Sequence, residues 1–315
     1  MAVDQALAFV FPGQGSQSVG MLAALAAARP GVRDTFSEAS AVLGFDLWEL
    51  VQNGPEDQLN LTHITQPALL TAAVAVWRAW RDAGGPEPSV TAGHSLGEYS
   101  ALVCARSISF ADGVRIVAER GRRMQEAVPA GTGAMAAVIG LDDAAVAAAC
   151  AEAAGGGVVA PANFNAPGQV VIAGHRAAVD RAIAAAKDRG ARRAVTLPVS
   201  VPSHCALMHA AAEAFRAGLE RVAMQDARIP VIQNADATAR QDAPSLRDAL
   251  IRQLYSPVQW TGSIVAMRDR GIRRVVECGP GRVLSGLIRR IDAQLTLDAI
   301  GEPDGFAVAL ERGRT

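Results

Sequence analysis

Between the β-favouring run Ser89–Ala92 and the apolar, helix-favouring run that begins at Leu96, the chain carries Gly93-His94-Ser95-Leu96-Gly97. A strand that passes into a helix through so short a link has to turn sharply, and glycine on either side of Ser95 lets the backbone crowd there. This βα step sets the pattern for most of the chain. A strand precedes the glycine-rich turn FPGQGSQ; an apolar helix covers TQPALLTAAVAVWRAW; a second follows over FADGVRIVAERGRRMQEAV. After Pro198 come a helix from Ala206, a strand IPVIQNA, a helix near SLRDALIRQLY and a strand RRVVECG. Alternating strands and helices predict an α/β fold with a mostly parallel sheet covered on both faces.

From Pro129 to Pro198 the rhythm changes to strand-helix-strand-strand-helix-strand, with an Asn-Ala-Pro-Gly turn between the middle strands. That order is the split βαβ pattern of a ferredoxin-like βαββαβ unit, whose ends lie close together. The expected organisation is a discontinuous large subdomain over 1–128 and 199–315 with a small subdomain, 129–198, inserted in it. The last residues, ERGRT, read as a frayed polar tail.

With 315 residues, half of them hydrophobic, and a formal net charge of -1, the chain can bury a sizeable core. The balanced charge argues against a general nucleic-acid or membrane-surface binder. The apolar run near PALLTAAVAVW is too short to span a bilayer, and MAVDQALAFVF has no basic leader. Cys104, Cys150, Cys205 and Cys278 are scattered without CxxC spacing, which points to a reducing cytoplasm rather than a disulfide framework or a zinc knuckle.

Ser95 is the candidate nucleophile. Its hydroxyl would sit at a helix start, where free N–H groups favour negative charge; the bland reading is a glycine-rich turn with a capping serine. A nucleophilic serine needs a base. Of the five histidines, His94 points away in the turn, and His175 opens a helix of the inserted unit. His204, in the loop where the chain returns to the large unit, ranks ahead of His209 and His63. No Asp or Glu between Ser95 and His204 falls in a strand-end loop, so the base is left to a neutral acceptor.

FPGQGSQ fails both nucleotide fingerprints, and what remains is a turn whose N–H groups suit an oxyanion. GPGRVLSG reads as a structural turn. Ile116, Arg120 and Met124 fall on one helical stripe, so Arg120 either snorkels or points at an anion in a pocket. Arg122 and Arg123 fall on the solvated face. There is no HExxH and no other metal-ligand spacing, and no GxDSL context for a carrier serine.

Seven motifs occur in order: FPGQGSQ, GHSLGEYSALV, RGRRMQEAVPAGTGAMAAVIGL, NFNAPGQVVIAG, VSVPSHCALM, QLYSPVQW and GPGRVLSGL. Together they resemble the malonyl-CoA:acyl-carrier-protein transacylases of bacterial type II fatty-acid synthesis, over nearly the whole chain. The resemblance implies an α/β-hydrolase-like large subdomain and a ping-pong transfer of malonyl from malonyl-CoA, by way of a serine ester, to the phosphopantetheine thiol of an acidic acyl carrier protein. It implies Ser95 as nucleophile, His204 as base, the main-chain carbonyl of Gln253 as the group orienting His204, and the N–H groups of Gln14 and Leu96 as oxyanion hole. It implies Arg120 as the grip on the malonyl carboxylate, with Met124 and Asn165 near that pocket. No bound cofactor is implied, coenzyme A entering only as the thioester substrate.

Ala105-Arg106 and Cys278 depart from the usual pattern outside the motif residues, and VPSH resembles malonyl-using rather than methylmalonyl-selective enzymes. Other functions compatible with these residues are a malonyl transferase of malonate decarboxylase or of a polyketide pathway, a serine thioesterase on the same fold, and a non-catalytic scaffold. Arg192, Arg193, Arg273, Arg274, Arg289 and Arg290 are candidates for a carrier-binding surface.

Overall fold

The run Leu7–Phe11 is apolar at every position because its strand is buried on both faces. In the computed structural model, which describes residues 3–129, 131–199 and 201–313, Leu7, Phe9 and Phe11 join the core on one side of a sheet, and Ala8 and Val10 the core on the other. This strand, β1 (Val3–Phe11), is followed by α1 (Ala23–Ala28), α2 (Gly31–Leu43), α3 (Leu47–Asn53), α4 (Glu56–Leu59) and α5 (Thr62–Asp82). β2 (Glu87–Gly93) then leads into α6 (Gly97–Cys104) and α7 (Phe110–Glu126).

Next come β3 (Gly133–Ile139), α8 (Asp143–Ala153), β4 (Val159–Ala166), β5 (Gln169–His175), α9 (Arg176–Asp188) and β6 (Arg193–Thr196). They build a separate four-stranded sheet, order β4-β5-β3-β6, with every neighbour antiparallel. Its helices bury an alanine-rich stripe, including Ala149, Ala178, Ala182 and Ala186, against Val138, Val170 and Ile172. The predicted order of elements over this stretch is found as expected.

The chain then forms a 3-10 turn (Ala206–Met208), α10 (His209–Glu220), β7 (Val231–Ile232), β8 (Ala239–Arg240), α11 (Ala243–Tyr255) and α12 (Trp260–Asp269). It ends with β9 (Arg274–Glu277), α13 (Val283–Ile291), β10 (Thr296–Ala299) and α14 (Pro303–Arg312). The larger sheet has the order β10-β9-β1-β2-β7-β8, and all its pairs are parallel except β7 with β8. The smaller sheet meets the larger unit where β4 pairs with the segment between α11 and α12: Phe164 N–H donates to Val258 O at 2.9 Å and Val258 N–H to Ala162 O at 2.8 Å.

Three expectations change. IPVIQNA contributes only a two-residue strand, because beyond Ile232 Asn234 turns its polar groups to Gly93 of β2 and Glu98 of α6. ERGRT is not a frayed tail as far as it is described: Glu311 and Arg312 complete α14, anchored by buried Phe306, Ala309 and Leu310, while positions 314–315 lie outside the described residues. Arg274 is no surface residue: it is 8% exposed and holds Asp298 at 2.8 Å. The GPG turn is structural as expected, since the Glu277 carboxylate accepts from Leu284 N at 2.9 Å and Ser285 N at 2.7 Å. Among the described residues, no helix is long and apolar enough to cross a membrane.

Candidate active site

Three close backbone approaches shape the turn after β2. A Cβ on Gly93 would lie 1.8 Å from the Gly97 carbonyl carbon, one on Gly97 2.0 Å from Phe11 O, and one on Gly13 2.4 Å from His94 O. Glycine at all three positions lets the FPGQGSQ turn lie directly against the elbow, so His94 N–H donates to Phe11 O at 3.0 Å. Ser95, at the tip, has φ 52, a left-handed conformation that a serine keeps only when its surroundings impose it.

Ser95 Oγ lies 2.7 Å from His204 Nε2, and His204 Nδ1 lies 2.8 Å from the main-chain oxygen of Gln253. A carbonyl only accepts, so Nδ1 carries the proton and Nε2 is free to accept the serine hydroxyl. His204 itself has φ 62, and its N–H donates to Leu254 O at 3.0 Å. Burial, and then the positive charge of Arg120, push the imidazole down to about 3, so it is an unprotonated base at neutral pH. The other histidines are engaged elsewhere: His63 with Gln125 at 3.2 Å, His175 with Val158 N–H at 3.0 Å, His209 stacked on Tyr255.

Arg120 is 1% exposed, between Ile116 and Met124 on the buried stripe of α7. Gly121 permits this placement, because a Cβ there would meet His63 Cα of α5 at 2.6 Å. The guanidinium donates to Gln66 Oε1 and Gln253 Oε1, both at 2.9 Å, and to Ser95 Oγ at 3.3 Å, with the Tyr99 ring face 5.3 Å away. These acceptors are neutral; no carboxylate forms an ion pair with Arg120 among the described residues, and its Nε has no partner. A buried cation held only by neutral acceptors is a strong site for a carboxylate.

The backbone N–H groups of Gln14 and Leu96 donate to no protein acceptor among the described residues, and both residues line the cavity above Ser95. That cavity holds about 130 Å3 and is bounded also by Met124, Met135, Asn163, Leu197, Val199 and His204. Clefts for drug-sized ligands run to about 300 Å3 or more, so this one has room only for a small group. Asn165 does not line the cavity itself: its Oδ1 is 2.8 Å from Nε2 of His94, which does and lies beside Trp260, while Asn163 lines the cavity directly. Residues two apart on a regular strand share a face, but β4 is irregular between Phe164 and Ala166, around Asn165.

Residues 8–293 match the acyl transferase domain family. The chain is 60% identical to the malonyl CoA-acyl carrier protein transacylase of Escherichia coli (strain K12), over 96% of this chain and 98% of that one. The chain belongs to the acyl transferase family. The transacylase of the same name from Bacillus subtilis (strain 168) is 42% identical over 97% of this chain and 96% of its own. Among solved structures, the malonyl-CoA:acyl carrier protein transacylase of Xanthomonas oryzae pv. oryzae superposes with a TM-score of 0.97 at 54% identity, covering 99% of each chain. A malonyl-transacylase solved in complex with a type II PKS acyl-carrier protein gives a TM-score of 0.96 at 54% identity, covering 97% of this chain and 99% of that one.

Several residues of this acyl transferase site carried no mark in the sequence. Gln66 lies inside α5, beside Pro67, and Asn163 within β4. Glu98 is fully buried on α6, where burial pushes its carboxyl up to about 7 despite hydrogen bonds and the nearby Arg120. Asn234, just past β7, accepts from the Ser95 N–H at 2.6 Å. The one available signal for Glu98 was a carboxylate in an otherwise apolar helix, directly after the elbow.

Proposed function

We propose that this chain transfers a malonyl group from malonyl-CoA to the phosphopantetheine thiol of an acyl carrier protein, by way of a malonyl ester on Ser95. The observation that carries it is the position of Ser95 Oγ between a base, His204 Nε2 at 2.7 Å, and a buried cation, Arg120 Nη2 at 3.3 Å. The relatives named above carry the same activity in their names, which supports the substrate pair.

In this mechanism Arg120 exchanges the serine oxygen for the malonyl carboxylate, leaving Ser95 Oγ facing the thioester carbon. His204 takes the hydroxyl proton as the C–O bond forms, and the oxyanion falls to the N–H groups of Gln14 and Leu96. The tetrahedral adduct collapses, the C–S bond breaks, and the imidazolium returns the proton to the coenzyme A thiolate. The carrier thiol then attacks the ester along the reverse path. Gln253 holds His204 in the productive tautomer, and Met124 packs beside Arg120 in the pocket. Asn165 acts through His94 at the cavity edge. The reaction calls for no bound cofactor, coenzyme A being part of the substrate.

We further read 1–128 with 199–315 as an α/β-hydrolase-like subdomain and 129–198 as a ferredoxin-like one; the parallel sheet around the elbow and the antiparallel order β4-β5-β3-β6 support this. Four free, buried cysteines support a reducing, cytoplasmic setting. A type II PKS carrier as alternative acceptor is supported by the neighbour solved with one. A serine thioesterase is disfavoured by Arg120, which has little use in general deacylation. Incubation with malonyl-CoA and intact-protein mass spectrometry test the reading: the wild type should gain one malonyl group, Ser95→Ala none, and added carrier should discharge it faster than water. Discharge to free malonate at the same rate without carrier would replace the transferase with a hydrolase.

A further inference from the structure

Resting on that reading, we propose that Asn234 is a positioning residue for the nucleophile: its side chain sets the Ser95 backbone and reserves the Ser95 N–H, leaving the oxyanion to Gln14 and Leu96. β7 ends at Ile232, opposite Ala92 of β2, so the larger sheet offers no further strand beside the elbow. The Asn234 side chain stands in for that missing strand. Its Oδ1 accepts from Ser95 N–H at 2.6 Å, and its Nδ2 donates to Gly93 O at 2.6 Å, so one amide spans the turn on both sides. The amide has the donor and the acceptor of a peptide group, and this pairing continues the sheet where the main chain has left it.

Asn234 is itself fixed. It is fully buried, and its own N–H donates to Glu98 Oε2 at 2.7 Å. On the opposite side Gln253 Nε2 holds Ser95 O at 2.8 Å, so both backbone polar groups of the serine are engaged. With φ 52 held by both bonds, the side chain leaves the backbone toward the cavity, where Oγ meets His204 Nε2 and Arg120 Nη2. The second consequence concerns the oxyanion. An unengaged Ser95 N–H would be a third donor near the reacting carbon, competing with the two free ones; Asn234 removes it from play.

Asn234→Ala deletes both bonds, and Asn234→Asp keeps the acceptor but turns the donor into a second acceptor against Gly93 O. Of the titratable and charged groups, Glu98 on α6 meets Asn234 directly and is itself acted on by Arg120 on α7 and Asp236 beyond β7. The elbow the amide spans carries His94 and brings His204 and Arg120 to Ser95. A protonated carboxyl restores the donor, so Asn234→Asp regains what it lost as the pH falls, in a range where the wild type does not gain.

The test is rapid-quench malonylation of Ser95 by malonyl-CoA in the wild type and both variants, with pH profiles and the malonyl-to-acetyl preference. A misaimed nucleophile costs roughly 100-fold in the acylation rate constant. The expected result is that loss in Asn234→Ala, with KM for malonyl-CoA and the malonyl preference within about threefold of wild type, and recovery of Asn234→Asp on acidification. Malonylation of a folded Asn234→Ala at the wild-type rate, a loss confined to KM, or an Asn234→Asp profile parallel to the wild type would each overturn the assignment. If Asn234→Ala fails to fold, the Asn234→Asp profile decides alone. A wild type that never acquires malonyl on Ser95 sinks the transfer reading as well, whereas a malonylated wild type with unaffected variants sinks only the role of Asn234.

Discussion

Arg120 and His204 share one piece of electrostatics. The guanidinium sits fully buried with neutral acceptors, and its charge helps hold the His204 imidazole far below its ordinary value. Truncating one partner of a buried, hydrogen-bonded charge pair costs about 2–5 kcal/mol. Arg120→Ala should therefore lower kcat/KM for malonyl-CoA by roughly 300-fold, at the middle of that range, and acetyl-CoA transfer much less. An equal fall for both substrates would remove Arg120 from the carboxylate site. The same variant moves the acid limb of kcat/KM. Loss of a neighbouring cation favours the imidazolium, so the limb shifts to higher pH, and a pH–rate series in both proteins checks it.

Glu98 and His204 have opposite effects on stability. Folding lowers the His204 value from 6.5 to about 3, so the unfolded chain binds more protons between those limits and stability is lost as pH falls through them. Folding raises Glu98 from 4.5 to about 7, chiefly by burial, so its contribution is present below 4.5 and lost as pH rises to 7. Glu98→Gln keeps an acceptor for Asn234 N–H but removes that second loss. The Tm difference, variant minus wild type, should rise between pH 5 and pH 8; a difference flat with pH would exclude a protonated Glu98.

At the scale of elements, glycine has opposite meanings in α6 and α13. Gly286 lies inside α13 with nothing within 4 Å of an added Cβ, so Gly286→Ala gains helix propensity, up to about 1 kcal/mol. Gly97 opens α6 with Phe11 O 2.0 Å from its would-be Cβ, and forcing atoms into such a contact costs typically 1–3 kcal/mol or more. Strain wins there. Thermal denaturation should show a raised Tm for Gly286→Ala and a lowered one for Gly97→Ala, the latter also slowing malonylation by parting the FPGQGSQ turn from the elbow. The α7 stripe belongs to this scale as well. Its period brings Arg120 onto the buried face, while only the close approach at Gly121 lets that face reach the α5 N-terminus.

At the scale of the molecule, the cavity lies between the smaller sheet and the larger unit: Met135, Asn163 and Leu197 line it together with Ser95, Arg120 and His204. The seam between them rests on the short ladder at Val258 and on a small core of Met135, Ala162, Val171, Ala173 and Cys205. An acidic carrier has exposed arginines to meet at Arg192, Arg193, Arg273, Arg289 and Arg290. Reversing the charge of the pair Arg289 and Arg290 should raise KM for the carrier at low salt and leave malonyl-CoA loading unchanged. A carrier KM unaffected at low salt would clear that pair.

The order of strands and helices, the elbow and the arginine stripe were legible in the sequence because each is a local pattern: period, glycine spacing and residue type within some twenty positions. Ser95, His204 and Arg120 could be named, yet nothing local joins them; they come from a strand-to-helix turn, a loop and the interior of a helix, and only the parallel sheet and the packing of α7 set them within 3.3 Å. The long-range contacts were silent. Asn234 and Gln66 lack a sequence signature because their meaning lies in partners 139 and 54 residues away. Asn163 lines the cavity and Asn165 meets it only through His94 because bulges, which no residue period announces, re-aim β4. The sequence by itself determined the elements and the chemistry available at the elbow. The tertiary structure decided which groups share that chemistry, because burial and close backbone approach depend on what packs opposite.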